Sequence, residues 1–326
     1  MKLSVILPCF NGAETIAVQL EALTSQTWHG GWEVIVVNNG STDGSMAIVE
    51  TFRDRLPDLL IAEAYVPGTA RLGVPHSYNT GIAAASGEAF VFCEADDEVA
   101  PGWLDAMGRA LIDHEFVVAR LDHRKLNADW LHPPYGDGYQ SAGLFKLPCY
   151  PHFYSASACG FGLRRSLYIR VGPLSVDFPI CHDSEYCWRA QAAGCALHFE
   201  PQALVYYREK ASLLARFKQG RSWAKDSTRL YAHYGSPPAR FAALRQVGAM
   251  AKSLPTGLKI SMAYALKTAK ARNQMADWVW NFGWSTGTLL GTLQAQTELR
   301  TGFRASHGRS GQGTASEPSG STTEPG

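Results

Sequence analysis

The chain has 326 residues, 46% of them hydrophobic, which is enough for one large or two modest domains with a substantial core. Its formal net charge is +1, so global charge points to no class of partner. Seven cysteines (Cys9, Cys93, Cys149, Cys159, Cys181, Cys187 and Cys195) show no CxxC pair and no recurrent spacing, which argues against a disulfide framework or a structural zinc site and fits a reducing compartment. Met1-Lys2-Leu3-Ser4 opens no apolar signal segment, and Pro8 and Asn11 interrupt it early, so a cytoplasmic location is expected.

Residues 3–7 predict a short apolar strand ended by Pro8, and Ile16, Leu20 and Leu23 predict an amphipathic helix from about Ala13 to Ser25. Glu33 to Val37 reads as a second buried strand, followed by a turn and a helix opening near Asp43 with Ile48, Val49 and Phe52 inward. Leu59 to Ala64 is a third strand, and a helix from His76 to Ala85 ends at Ser86-Gly87. The strand Ala89 to Cys93 and the helix Trp103 to Leu111 complete four strand–helix units. Continuous apolar strands alternating with helices predict an α/β fold with a mainly parallel sheet. Ligands of such sheets bind beyond the carboxyl ends of the strands, where Pro8–Asn11, Asn38–Gly40 and Glu94–Asp97 would converge.

From Arg120 to about Tyr154 the pattern breaks into Pro, Gly, His and aromatic residues, expected to form a functional loop because regular patterns resume afterwards. Val205-Tyr206-Tyr207 reads as a last strand, helices run from Ala211, and Ser306 to Gly326 has the composition of a disordered tail. The expected division is 1–210 for a catalytic unit, 211–303 for a helical extension and 304–326 for the tail.

The acidic run Glu94-Ala95-Asp96-Asp97 directly follows a buried strand. Like charges so close raise one another's pKa, and a bound divalent cation would relieve that cost. Carboxylate oxygens suit Mg2+ or Mn2+, which often bridge to phosphate oxygens. The plainer reading is a solvated turn ahead of the next helix.

Five segments in order resemble family 2 glycosyltransferases of the GT-A fold, from about Leu3 to Tyr231. Ser4-Val5-Ile6-Leu7-Pro8-Cys9-Phe10-Asn11 resembles the opening strand, whose Pro and Asn border the nucleotide base. Val36-Val37-Asn38-Asn39-Gly40-Ser41-Thr42-Asp43-Gly44 resembles the turn that holds uracil or its ribose. Asn79-Thr80-Gly81 resembles the family's A-R-N-x-G segment, Glu94-Ala95-Asp96 its D-x-D, and His182 to Arg189 its E-D-x-D-L-x-W-R. The resemblance implies an inverting transferase using a nucleoside-diphosphate sugar, UDP- or dTDP-linked, and Mn2+ or Mg2+. It implies donor contacts at Pro8, Asn11, Asn38, Asp43, Asn79, Glu94, Ala95 and Asp96, with Asp96 as direct metal ligand. Glu94 would contact the ribose or reach the metal through water. Asp183, favoured by a helix N-terminus, would be the general base, although a simple N-cap is its alternative reading. Gly160-Phe161-Gly162, with Glu185, would frame the acceptor, expected to be a hydroxyl of a glycan or lipid-linked acceptor in cell-surface polysaccharide or glycoconjugate synthesis. Glu185 reads equally as the partner of Arg189 one turn later.

Several residues depart from the family pattern. Glu94 replaces an Asp, Asn38 stands where Asp is usual, and Tyr78 replaces an Arg, leaving Arg71 as the expected phosphate partner. Tyr207 stands where many members place a metal-binding His; His182 is a conceivable replacement, though a lone His is more often structural. Trp130, Tyr135, Tyr139 and Phe145 are candidates for stacking on acceptor sugars or for packing. No acidic residue occurs between Asp226 and Asp277, a span with Arg229, Arg240, Arg245, Lys252, Lys259, Lys267, Lys270 and Arg272, followed by Trp278-Val279-Trp280-Asn281-Phe282-Gly283-Trp284. Residues 229–297 therefore suggest contact with an anionic membrane surface on its cytoplasmic side, or a solvated helical cap or dimer element. Nucleic acid is not expected, because no recognised motif accompanies the charge. The competing readings are a degenerate nucleotide-sugar or glycan-binding domain and a sugar-nucleotide pyrophosphorylase; the latter lacks its basic Gly-rich loop at Phe10–Glu14.

Overall fold

The structure is a computed structural model and describes residues 1–131, 137–147, 150–235, 242–265 and 268–301. In chain order, β1 (Leu3–Cys9), α1 (Ile16–Thr24), β2 (Trp32–Asn38), α2 (Ser45–Glu50), β3 (Leu60–Glu63), α3 (Val74–Ala84) and β4 (Ala89–Phe92) form the first half. A two-residue strand β5 (Glu98–Val99), α4 (Trp103–Asp113) and β6 (Phe116–Asp122) follow. A hairpin of β7 (Phe145–Leu147) and β8 (Tyr150–Ser155) precedes β9 (Phe161–Arg164), α5 (Arg165–Val171), α6 (His182–Ala192) and β10 (Leu197–Tyr206). Three helices end the described chain: α7 (Leu213–His233), α8 (Ala242–Tyr264) and α9 (Ala269–Thr301).

The main sheet has the order β3-β2-β1-β4-β9-β6-β10-β5. β1 pairs in parallel with β2 from Leu3–Trp32 to Cys9–Asn38, and with β4 from Leu3–Ala89 to Ile6–Phe92, so the loops after all three strands open at one edge. The sheet is parallel except where β9 inserts antiparallel between β4 and β6, and where β5 pairs antiparallel with β10. Strand side chains alternate between faces. Leu3, Val5 and Leu7 pack with α1 and with Trp103, Met107 and Leu111 of α4. Ile6, Phe90 and Phe92 pack on the opposite face with Tyr78, Ile82, Tyr186 and Trp188. Burial on both faces is why these strands are continuous apolar runs. The irregular segment expected from Arg120 contains the end of β6 and the β7–β8 hairpin, and β6 itself was not expected. Tyr135 and the tail from Ser306 lie outside the described residues.

The three terminal helices pack through a glycine seam. A Cβ at Gly283, Gly287 or Gly291 of α9 would run into the carbonyl oxygens of Phe217, Arg221 and Lys225 of α7. The two series climb together, so α7 and α9 run parallel with their backbones in contact. The Trp-rich stretch belongs to this packing: Trp280 is buried, and Trp278 covers Gly257 of α8 while its Nε1 donates to the Ser253 carbonyl at 3.2 Å. Trp278 and Trp280 are thus engaged inside the helical packing, as expected of the helical-cap reading, with Trp278 filling the space that Gly257 opens. No described helix is long and apolar enough to cross a membrane.

Candidate active site

The loops after β1 and β2 are laced together. Asn11, with a left-handed φ of 49°, accepts from the Thr42 amide at 2.8 Å and gives its own amide to Ser41 Oγ at 3.1 Å. Asn38 Oδ1 accepts from the Ser41 amide at 2.9 Å, and its Nδ2 donates to both Glu63 oxygens at 3.1 and 3.0 Å. Asp43 accepts from the Ala13 amide at 3.0 Å and from Ser45, which holds its carboxyl below the usual range. Asn11, Asn38 and Asp43 thus lace the two loops into a rim, and Asn11 also lines the cavity that the rim encloses.

A cavity of about 290 Å³ opens inside that rim, lined by Pro8, Cys9, Phe10, Asn39, Ser77, Glu94, Ala95, Asp96 and Lys210. Asn39, absent from the expected set, is buried with its Oδ1 lacking a protein partner. Arg71 lies over the Phe10 ring at 3.9 Å and donates Nε to the Asn39 carbonyl at 3.1 Å. Its guanidinium is held behind Phe10 against the β2 loop, so its expected role as a diphosphate partner is not supported by where it is engaged. Asn79 is a bracket: Nδ2 donates to the Leu174 carbonyl at 2.8 Å and Oδ1 accepts from the Leu174 amide at 2.9 Å. Those bonds occupy the amide on both sides, which corrects its expected donor contact.

The acidic cluster lies at the floor. Oxygens of Glu94, Asp96 and Asp97 lie within 4.8 Å of one another, the one such metal-capable group among the described residues. Asp97 is buried, accepts from the Arg208 amide through Oδ1 at 2.9 Å, and has an Oδ2 without a protein partner. Burial and then the Asp96 charge push the Glu94 carboxyl well up, and the same two causes raise Asp97. Tyr78, where the family has Arg, points its hydroxyl at Glu94 Oε1 at 3.4 Å. The one ammonium in the cluster is Lys210, whose Nζ is 2.7 Å from Asp96 Oδ2. Burial works to lower the Lys210 pKa, and the Asp96 charge overrides it, keeping the group protonated. An all-carboxylate set with an orphaned buried oxygen fits a hard divalent cation. Tyr207 is no ligand here: its ring sits in an aromatic cluster 5.0 Å from His123 and 5.6 Å from Tyr139.

Asp183 stands in the first turn of α6, beside the cluster and near enough for its charge to raise Glu94. Burial pushes its own carboxyl up to about 7, against hydrogen bonds from the Ser184, Asp183 and Ala158 amides. Its neighbour His182 is buried, with Nδ1 3.2 Å from the Pro179 carbonyl and Nε2 without a protein partner; burial pushes its pKa down to about 4 and keeps it neutral. The start of α6 is fixed from α7, where Asp226 accepts from the Ile180 and Cys181 amides at 2.9 Å each.

The expected acceptor residues are placed otherwise. Glu185 is buried and grips Arg189 at 2.6 and 2.9 Å while accepting from the Tyr234 hydroxyl at 3.2 Å. Gly160, Phe161 and Gly162 are interior: Phe161 is fully buried, and a Cβ at Gly162 would meet Met107 and Leu111 of α4. The two have different causes: the antiparallel insertion of β9 carries Phe161–Arg164 into the middle of the sheet, whereas Glu185 faces Arg189 and α7 from its place on α6. Tyr139 belongs to the aromatic cluster with His123, 5.9 Å from Phe145. Trp130 lines a separate cavity of about 460 Å³ at the first turn of α9, under Arg272, away from the acidic cluster.

Comparison with known proteins agrees with this geometry. Residues 4–172 match the family described as Glycosyl transferase family 2. The uncharacterized glycosyltransferase YibD of Escherichia coli (strain K12) is 32% identical over 146 residues, 45% of this chain and 39% of its own length. An uncharacterized glycosyltransferase of Nostoc sp., alr2836, is 33% identical over 210 residues, 61% of this chain and 59% of its own length. The chain therefore spans less than two thirds of these relatives. Among solved structures, a mannosyltransferase of Pyrobaculum calidifontis in complex with GDP-Man and Mn2+ has a TM-score of 0.56 at 18% identity, covering 90% of this chain and 86% of that one. Staphylococcus aureus TarS 1–349 in complex with UDP gives 0.53 at 18% identity, covering 86% and 90%. A mainly parallel sheet with these loops at its carboxyl edge, matched over more than half the chain, is the GT-A fold, and the chain belongs to glycosyl transferase family 2.

Proposed function

We propose that the protein is an inverting glycosyltransferase that moves a sugar from a nucleoside-diphosphate sugar to a hydroxyl of a glycan or lipid-linked acceptor in cell-surface polysaccharide or glycoconjugate synthesis. The observation that carries this reading is the acidic cluster with Asp183 near enough for its charge to raise Glu94, its own carboxyl lifted by burial to about 7. A UDP- or dTDP-sugar is the donor, with the base between Pro8, Phe10 and the orphaned Asn39 amide. An amide oxygen accepts from a pyrimidine N–H as a carboxylate does. Mn2+ or Mg2+ would be held by Asp96, Glu94 and Asp97, and would supply Lewis-acid stabilisation of the leaving diphosphate. Asp183 takes the acceptor's proton as the hydroxyl attacks the anomeric carbon. With one base and no covalent intermediate, attack from the face opposite the diphosphate inverts the centre. A base with a pKa near the working pH is the efficient choice for this step, worth roughly 10²–10⁴ in rate.

The test is a thermal-shift screen of UDP-, dTDP- and GDP-sugars with Mn2+ or Mg2+, followed by nucleoside diphosphate release with candidate acceptors. A donor that binds the native state raises the melting temperature by mass action. A metal-dependent shift with one donor and slow hydrolysis of it are expected. A shift without any release under any acceptor would favour a binding domain instead.

A further inference from the structure

Helix α8 has a face that nothing in the described structure covers. It packs on α9 through the side bearing Gly257 and Ser253, both in contact with Trp278. On another side, Leu244, Val247, Leu254, Leu258 and Met262 are between 50% and 71% exposed. Their spacing is helical, so they form one stripe about 27 Å long at 1.5 Å per residue. Beside it run Arg245, Lys252 and Lys259, exposed and seven residues apart, hence in a single row. None of the three forms an ion pair among the described residues, and α8 contains no acidic residue.

We infer that this face of α8 docks on the surface of an anionic bilayer, with the leucines and Met262 in the headgroup–acyl boundary and the basic row against lipid phosphates. An amphipathic helix with a cationic flank is built for that boundary. The charge pattern selects this occupant over a second copy. Two copies of α8 meeting through the stripe would bring their basic rows together with no carboxylate on either helix to offset the repulsion. A lipid surface supplies anionic charge along the whole row, at roughly fivefold in binding per cation. The inference is independent of the transferase reading, since it rests on no residue of the candidate active site.

Co-sedimentation of the full chain with vesicles tests it. Phosphatidylglycerol–phosphatidylcholine vesicles are compared with phosphatidylcholine alone. The variants are Arg245→Ser/Lys252→Ser/Lys259→Ser and Leu254→Ser/Leu258→Ser; all five positions are exposed, so both variants should fold. The wild type is expected to pellet with the anionic vesicles and stay in solution with the neutral ones. The basic triple should bind roughly a hundredfold more weakly, and the leucine pair should bind more weakly at equal charge. Wild type remaining in the supernatant, or either variant pelleting like wild type, would overturn the inference. So would light scattering showing a dimer that the leucine variant dissociates, which would assign the stripe to a second copy. Donor-induced thermal shifts should be identical in all three proteins, which separates this outcome from any failure of the transferase reading.

Discussion

Lys210→Ala is the change whose consequence the geometry sets most directly. The ammonium is 2.7 Å from Asp96 Oδ2, inside a group of three carboxylates whose oxygens lie within 4.8 Å. Two unit charges about 4 Å apart attract by roughly 4 kcal/mol near a protein surface and about 1 kcal/mol in bulk water. The Lys210 side chain is 43% exposed, which moves the pair toward the lower figure. An incoming divalent cation must compete with that contact, so removing it should tighten binding of Mn2+ by about 1 kcal/mol, or roughly fivefold. Mn2+ titration without nucleotide, followed by the paramagnetic resonance signal of the free ion, reads this directly. Unchanged or weaker Mn2+ binding in Lys210→Ala would show that the ammonium does not share the cation's position, and the reading of the cluster as a metal site would fail with it.

Three further outcomes are expected. Because burial holds Asp183 at about 7, the rate of transfer should rise as pH climbs through about 7 and level off above it; a flat profile there would remove Asp183 as base. The sign for stability is opposite: a folded pKa above the ordinary 3.8 makes the ionised form costly, so the melting temperature of Asp183→Asn relative to wild type should increase from about pH 4 to about pH 7. Glu185→Gln breaks a pair with Arg189 whose side chains are 3% and 12% exposed, and should lower stability by about 3 kcal/mol without changing donor affinity. Donor affinity lost at unchanged melting temperature would return Glu185 to the binding site.

β1, β2 and β4 were legible because strands buried on both faces need unbroken apolar runs, with Gly40 and Gly87 flanking them; β1 runs one residue past Pro8, to Cys9, and the half-exposed β3 was read from its apolar run alone. The acidic cluster was legible for a related reason, since carboxylates directly beyond a buried strand demand a compensating charge. β9 was read as an acceptor-framing turn because Phe161-Gly162-Leu163-Arg164 is too short and too glycine-broken for a strand signal; its pairing with β4 and β6 comes from tertiary context. Asn11, Asn38, Asp43 and Asn79 were recognised as residue types, yet sequence does not say which amide each one meets. Lys210 was missed because its partner lies 114 residues away. The tryptophans left two readings open through amphipathicity: the same pattern serves a bilayer interface or a glycine seam, and Gly220, Gly257, Gly283, Gly287 and Gly291 decide for the seam.

The measurement that tests the account most directly is transfer by Asp183→Asn, with donor binding measured on the same preparation. The amide is nearly isosteric and cannot take a proton. With the donor and acceptor that the screen identifies, kcat should fall by roughly 10²–10⁴ while donor affinity and melting temperature at neutral pH hold or improve. Near-full transfer by the variant, or loss of donor binding in step with loss of rate, would contradict the assignment of Asp183 as the base beside the acidic cluster.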